Sequence, residues 1–267
     1  VKTLALLVVG RGRLGRALGR ALAERGARVV AWAGRGAWPR VAPAVDGVLL
    51  AVPDPFVAEV ARALAPRLPA GVPLLHASGA LGPEVLAETG HPHAAMHPLV
   101  SFAAPRAPTL EGTTFVVAGD RAAVRVARRI AATVGARAIA RGVHGPRYHA
   151  AAALVANGAA ALATRAVELF VREGFTRRDA ERAIGALLRS VGENVIREGV
   201  PRALTGPIVR GDAATVARHR AALEGEALHA YDALAPIVLA VAIEAGLAPS
   251  QADVVRRALA SRRDQPR

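Results

Sequence analysis

Residues 4–15 read Leu-Ala-Leu-Leu-Val-Val-Gly-Arg-Gly-Arg-Leu-Gly, and this stretch constrains the fold more than any other. A short apolar run bounded by glycine is the pattern of a buried strand. It ends in Gly10-x-Gly12-x-x-Gly15, after which Leu14, Ala17, Leu18, Ala21 and Leu22 recur at helical spacing. Strand, tight turn and helix in that order are the context in which three glycines at this spacing carry meaning. Gly10 permits the turn, Gly12 lets the backbone approach a pyrophosphate, and Gly15 lets the helix pack closely on the strand. Free amides at the helix start receive the negative charge. Arg11, Arg13 and Leu14 fill the places between the glycines. The stretch predicts a dinucleotide-binding turn; a glycine-rich strand–helix turn without a ligand is the plainer alternative.

The residues that follow alternate between strand and helix. Short apolar runs at 27–33, 48–52, 74–76, 93–97, 112–118 and 136–140 read as strands, with helical stripes at 57–64 and 121–134. This alternation predicts a Rossmann-like, mostly parallel sheet that closes near residue 142. Strand C-termini in such a sheet face the ligand crevice, so Val52, Pro53, Ser78 and Gly79 are expected beside the nicotinamide end. Pro53 and Gly79 also suit plain turns. At the end of the second strand an acidic residue would hydrogen-bond the adenosine ribose and favour NAD. The chain has Gly34 and Arg35 there, which leave room and charge for a 2′-phosphate. NADP(H) is therefore the expected cofactor, with Arg11 and Arg13 adding to the same anion site.

From Gly145 the texture becomes helical. Residues 148–173 are apolar almost all round and predict a buried central helix. Thr176 and Asp179 resemble a capping box, followed by a stripe of Ala180, Ala183, Ile184, Leu187, Leu188, Val191 and Val195. A stiff loop at 204–212 places Asp212 to cap the next helix. Further helices are expected at 213–230, 233–245 and 250–261. The fold class is thus α/β, with a dinucleotide-binding domain at 1–142 and an all-α domain at 143–267.

Composition narrows the chemistry. The 267 residues are enough for two domains, and over half are hydrophobic. There is no cysteine, which excludes disulfides, thiolate metal sites and a cysteine nucleophile; no metal site is expected. Lys2 is the only lysine, which removes Schiff-base chemistry and a phosphate-loop lysine. The other 34 of the 35 basic residues are arginines, spread along a chain of net charge +14. With few aromatic residues and no nucleic-acid motif, no nucleic-acid partner is expected. Apolar stretches near 151–163 and 233–242 read as too short to span a bilayer and carry Asn157 and Pro236. The expectation is a soluble, cytoplasmic protein without a membrane partner.

A reductase of this layout takes its hydride from the cofactor and needs a proton donor and a substrate clamp. Histidine is the available donor near neutral pH. His149 and Asn157 stand eight residues apart on the long helix, about 12 Å along its axis, where they can line one groove. His97 ends a strand in front of Pro98, a place that also suits a structural histidine, and His76 is a weaker candidate. Arg210 suits bidentate capture of a carboxylate, unless it merely pairs with Asp212. Ser101 and Thr205 are the other candidate substrate contacts.

The runs Met96-His-Pro-Leu-Val-Ser-Phe, Leu110-Glu-Gly-Thr-Thr-Phe, Tyr148-His-Ala-Ala-Ala and Ala203-Leu-Thr-Gly-Pro-Ile-Val-Arg-Gly-Asp resemble a family of bacterial proteins that join a Rossmann-like domain to a helical C-terminal domain of unknown function. That family is similar in architecture to ketopantoate reductases, pyrroline-5-carboxylate reductases and prephenate dehydrogenases. The resemblance implies a C-terminal domain of the 6-phosphogluconate dehydrogenase-like type. It also implies an NADP-dependent oxidoreductase, ketopantoate reductase-like first, with the other two activities as alternatives. Ketopantoate reductases carry a lysine four residues before an asparagine; if Asn157 is that asparagine, Ala153 occupies the lysine position. His149, one turn earlier, is the expected substitute, while the His97-Pro98 context is similar to the catalytic histidine of prephenate dehydrogenases.

These readings combine into one expectation: hydride passes between NADPH and a small 2-oxo acid. His149 or His97 donates the proton, Asn157 orients the carbonyl and Arg210 holds the carboxylate. Two copies are expected to pair through the helical domain. The absent lysine leaves a different class open, an NADP-binding sensor without turnover.

Overall fold

The computed structural model describes residues 2–34, 38–103, 109–142 and 144–260. Two compact units divide the chain, 1–156 and 157–267. The sequence places the junction at 142/143. The first unit extends further because the opening turns of a long helix pack their aromatic residues against its sheet loops.

In the first unit, strands β1 (Ala5–Val9), β2 (Arg28–Trp32), β3 (Gly47–Leu50), β4 (Leu74–His76), β5 (His93–Pro98), β6 (Thr114–Gly119) and β7 (Arg137–Ala140) form one sheet in the order β2-β1-β3-β4-β5-β6-β7. All neighbours are parallel except β5 and β6. Successive side chains of a strand point to opposite faces. Leu6 and Val8 accordingly join α1 (Arg13–Glu24) and α3 (Arg121–Thr133) in one apolar layer. Leu7 and Val9 join α2 (Val57–Leu64) in the other. Both faces of β1 are covered, which is why its sequence is continuously apolar rather than alternating. The chain leaves β1 toward β2 on one side and returns to β3 on the other, so the strand order reverses between β1 and β3. A crevice at the carboxyl ends opens at that reversal.

The second unit is helical: most of α4 (Pro146–Arg172), then α5 (Arg177–Glu198), α6 (Ala213–Ala222), α7 (Gly225–Glu244) and α8 (Pro249–Ala260). Thr176 caps α5 by accepting the Asp179 amide, and Asp212 caps α6 by accepting the Thr215 amide, both as the sequence indicates. Ile208, Val216, Leu239 and Val255 centre a small core. Arg220 of α6 grips Asp232 of α7 with Nε and Nη2, at 2.7 and 3.1 Å, and donates to the Ala258 carbonyl of α8. One side chain thus ties three helices.

Three expectations are corrected here. The helices expected at 213–230 and 233–245 break instead at Leu223–Glu224, and α7 runs through Pro236. Helix α4 is not buried within the chain: Val167 is its one buried residue among those described. Leu154 and Val155 are 77% and 71% exposed. The stripe of α5 likewise buries Ala180 and Ile184 but exposes Leu187, Leu188, Val191 and Val195. Finally, α4 and α7 are long and apolar enough to cross a membrane by length and composition, because each helix extends beyond the apolar run that marks it.

Candidate active site

The turn after β1 fits a dinucleotide pyrophosphate for reasons that differ at each glycine. Gly10 has φ +117°, and a Cβ there would lie 2.3 Å from the Ala51 carbonyl oxygen. A Cβ on Gly15 would lie 2.1 Å from the Gly10 carbonyl oxygen, so helix and turn touch backbone to backbone. Gly12 is different: a Cβ there would meet nothing within 4 Å. The protein's own packing does not need a glycine at 12, whereas an anion seated on the helix start does. Helical hydrogen bonding begins with the Arg16 amide donating to Gly12 O at 3.0 Å. The amides of Arg13, Leu14 and Gly15 therefore precede any acceptor within the helix, and α1 has no acidic residue in its first turn to compete for them. Arg11 and Arg13 are exposed beside them.

Gly34, after β2, comes close to this turn: a Cβ on it would lie 2.8 Å from Val52 Cγ1 and 3.8 Å from Gly10 Cα. The position that discriminates the adenosine ribose thus carries no side chain. Arg35 lies outside the described residues. Val52 and Pro53 follow the end of β3.

The loop after β4 is fixed by a polar network that sequence alone does not show. Ser78 Oγ donates to Asp54 Oδ2 at 2.8 Å and accepts the amides of Ala80 and Leu81, both at 3.1 Å. One proton and two lone pairs are all a hydroxyl has. Ser78 therefore ties the β3 loop to the β4 loop, and its hydroxyl is spent in doing so. His76 is fully buried; its Nδ1 accepts the Ser78 amide and its Nε2 donates to Gly82 O at 3.0 Å. Burial pulls its pKa down to about 4. Its two ring nitrogens shape the loop, which makes it a structural histidine.

Gly79 stands where a Cβ would lie 2.7 Å from His97 Cε1 and 2.9 Å from His149 Cδ2. This bare backbone lets two rings converge. His97, near the carboxyl end of β5, lies edge-on to His149 at 5.8 Å between centroids and to Tyr148 at 5.6 Å. Its Nδ1 is 2.9 Å from Tyr148 Oη. His144 packs on Tyr148 from the preceding loop at 5.5 Å. The Gly145 amide donates to Gly79 O and the His149 amide to Gly145 O, which anchors the start of α4 over the β4 loop. His97 and His149, picked out separately in the sequence, thus share one site. Tyr148, His144 and Asp54 are additional; the signal for Tyr148 was its place directly before His149.

The electrostatics set the charge state of His97. Burial, then His149 and His144, hold its pKa down to about 4, against a weaker opposing pull from Asp54. It is neutral at neutral pH and has no imidazolium proton to give. Burial raises the Tyr148 phenol above its usual value of 10. Ser101 is exposed beyond β5. Asn157, Thr205 and Arg210 belong to the second unit, where all three are exposed. The Arg210 amide bonds back to Gly206 O and Pro207 O, and Ile208 between them is buried, so this loop is built on the core of its unit. Among the described residues no group of three or more histidine or acidic side chains is arranged to hold a metal.

Comparison with known proteins adds a segment and a fold. Residues 113–237 match DUF2520, a domain of unknown function. That segment contains Tyr148, His149, Asn157, Thr205 and Arg210 but not His97. No curated protein matches the chain in sequence. Among solved structures, protein TM1727 from Thermotoga maritima is similar at 26% identity and TM-score 0.62, over 90% of this chain and 99% of that one. Protein BF3122 from Bacteroides fragilis is similar at 18% identity and TM-score 0.69, over 89% and 98%. A pyrroline carboxylate reductase from Plasmodium falciparum, with NADP bound, is similar at 13% identity and TM-score 0.57, over 90% and 100%. The fold is a Rossmann-like sheet with a helical C-terminal region, as the sequence indicates.

Proposed function

We propose that the chain is an NAD(P)-dependent oxidoreductase that moves a hydride between a nicotinamide cofactor and a small carbonyl compound bearing a carboxylate. One observation carries the reading. Within the first unit, the Gly10–Gly15 turn and the His97–Tyr148–His149 group occupy the carboxyl edge of one mostly parallel sheet, the edge at which such sheets bind ligands. The fold shared with a reductase that binds NADP supports it. NADP(H) is preferred over NAD(H) because residue 34 is a glycine rather than an acid. For the substrate, a 2-oxo acid is the first choice, ketopantoate ahead of others. Prephenate-type and pyrroline-5-carboxylate-type chemistry are the alternatives.

When bound, the cofactor supplies the hydride. The chain's own residues do the rest: the first amides of α1 hold the pyrophosphate, and Gly12 leaves room for it. His97 and His149 face the reacting end with Ser101 assigned to the carboxylate, and Asn157, Thr205 and Arg210 are kept as candidate substrate contacts of the second unit. We assign a second copy of the chain to the exposed apolar faces of α4 and α5, and place the protein in the cytoplasm. A second reading, cofactor binding without turnover, draws on Ala153 standing where similar reductases have lysine.

The test is calorimetric titration of NADPH and NADH into the wild-type protein and Gly12→Val, followed by NADPH oxidation with a panel of 2-oxo acids. We expect NADPH to bind. Gly12→Val should lose about tenfold or more in affinity, equivalent to roughly 1.4 kcal/mol, with the unfolding midpoint nearly unchanged because a Cβ at 12 meets nothing. Absence of binding by either nucleotide overturns the proposal. Binding with no oxidation across the panel moves it to the second reading.

A further inference from the structure

We propose that Tyr148 holds His97 as its Nε2–H tautomer and, acting through His97, serves as the proton reservoir for reduction of a substrate carbonyl. The inference rests on the oxidoreductase reading for its chemistry but not for its geometry. The geometry is the 2.9 Å contact between Tyr148 Oη and His97 Nδ1. A phenol has one donor and two acceptor sites, and a neutral imidazole has one of each. If Nδ1–H donated to Oη, the phenolic proton would need a second acceptor. If Oη–H donates to Nδ1, the imidazole keeps its own proton on Nε2. The phenol is the more acidic donor and the neutral imidazole nitrogen the more basic acceptor, so the phenol donates. The imidazole proton is then on Nε2, the nitrogen not engaged by Tyr148.

This resolves a difficulty the site otherwise has. His97 is neutral at neutral pH and cannot deliver an imidazolium proton. Lys2, the only lysine, lies outside the site's elements. A neutral Nε2–H can still pass a proton if Nδ1 is refilled at the same time. When a reduced nicotinamide gives its hydride to a carbonyl carbon, the C=O π pair moves to oxygen, producing an alkoxide. Such a base is comparable in strength to hydroxide. The alkoxide oxygen takes the Nε2 proton and Nδ1 takes the Oη proton; solvent then reprotonates Nε2 as Nδ1 returns its proton to the phenolate, which restores the Nε2–H tautomer. Net, one hydride and one solvent proton are added across the carbonyl. Transfer to an alkoxide from a phenol, even one that burial has made a weaker acid, runs downhill. The opposite tautomer would leave Nε2 bare and suit His97 to accept a proton from an alcohol, the oxidative direction.

The groups facing His97 are Tyr148 and His149 from α4, His144 from the loop before it, Asp54 from the β3 loop and the backbone of Gly79. Of these, Tyr148 alone has a hydrogen bond to the ring among the described residues.

The experiment is long-range proton–nitrogen NMR of the imidazoles in nitrogen-labelled, full-length protein, with His97 assigned by loss of its signals in His97→Gln. In the wild type we expect Nδ1 in the pyridine-type region and Nε2 in the pyrrole-type region throughout the neutral range. In Tyr148→Phe the two should move toward a mixed population. Pyrrole-type Nδ1 in the wild type, or an unchanged tautomer ratio in Tyr148→Phe, overturns the proposal. In parallel, with any panel 2-oxo acid that oxidises NADPH, Tyr148→Phe should lower kcat by roughly tenfold or more. KM and NADPH affinity should stay within about twofold, and the alkaline limb of the pH–rate profile should move. An unchanged kcat and profile would also overturn it. A wild-type protein that fails to bind NADPH removes the oxidoreductase reading, while the tautomer still reports on the pair.

Discussion

In the first unit β1 presents Leu6 and Val8 to one helical layer and Leu7 and Val9 to another, so these four are packed by residues of their own chain. In the second unit α5 carries a stripe of apolar residues, yet Leu187 and Ile196 stand 57% and 85% exposed. The same kind of residue is used for two purposes. Apolar side chains in the sheet make a core; those along α4 and α5 make a surface of a kind that monomeric proteins rarely leave bare. Hydrophobic pattern alone does not say which of the two a helix is building, because the pattern records that a face wants covering and not what covers it.

That contrast can be broken by mutation. Leu6→Ala should cost about 2–5 kcal/mol, since the methyl groups it removes are wholly enclosed; urea denaturation measures it, and a loss below about 1 kcal/mol would show the sheet core to be looser than described. Next is pH. His76 in the folded chain titrates at about 4, below its ordinary 6.5. Between those values the unfolded chain binds more protons. The stability contributed is complete above 6.5 and is lost as pH falls toward 4, by up to about 3 kcal/mol. His97 acts in the same direction, weakened by its partial exposure. Denaturation at neutral and mildly acidic pH checks this, and His76→Gln should flatten the slope. The smallest effect on stability should come from Ile196→Glu: within about 0.5 kcal/mol per chain, as for other surface changes. Its consequence should appear in sedimentation instead, as conversion of a two-chain species to single chains. A wild-type protein that sediments as one chain would remove the second copy from α4 and α5. Partition of the wild type into detergent or lipid would assign those faces to a membrane.

The sequence disclosed those features whose cause is local. The strand–turn–helix at Gly10–Gly15, the strands, and the caps at Thr176 and Asp212 each depend on residues within a few positions of one another. His97 and His149 were recognisable singly, from a strand end and a helix start. What drew them together, Gly79, resembles an ordinary turn glycine until the rings on either side of it are placed. Ser78 misled in a similar way: it does follow a strand end, but its hydroxyl is consumed by Asp54 and two amides from its own loop. The exposure of α4 and the neutrality of His97 were not legible, because both depend on what packs nearby rather than on the residues themselves.

The two tryptophans of the chain, Trp32 and Trp38, lie together at the end of β2. Their rings stack at 6.4 Å with planes 20° apart, and Trp38 Nε1 donates to the Ala33 carbonyl. Next to them is Gly34, against Val52 and Gly10. All indole emission from this protein therefore originates at one rim of the first unit, on the side proposed for the adenosine, and none arises in the helical unit. The chain carries its own optical label: quenching by an adenine nucleotide would report on that rim alone, and unfolding followed by this signal would record the sheet and stay blind to α5 through α8.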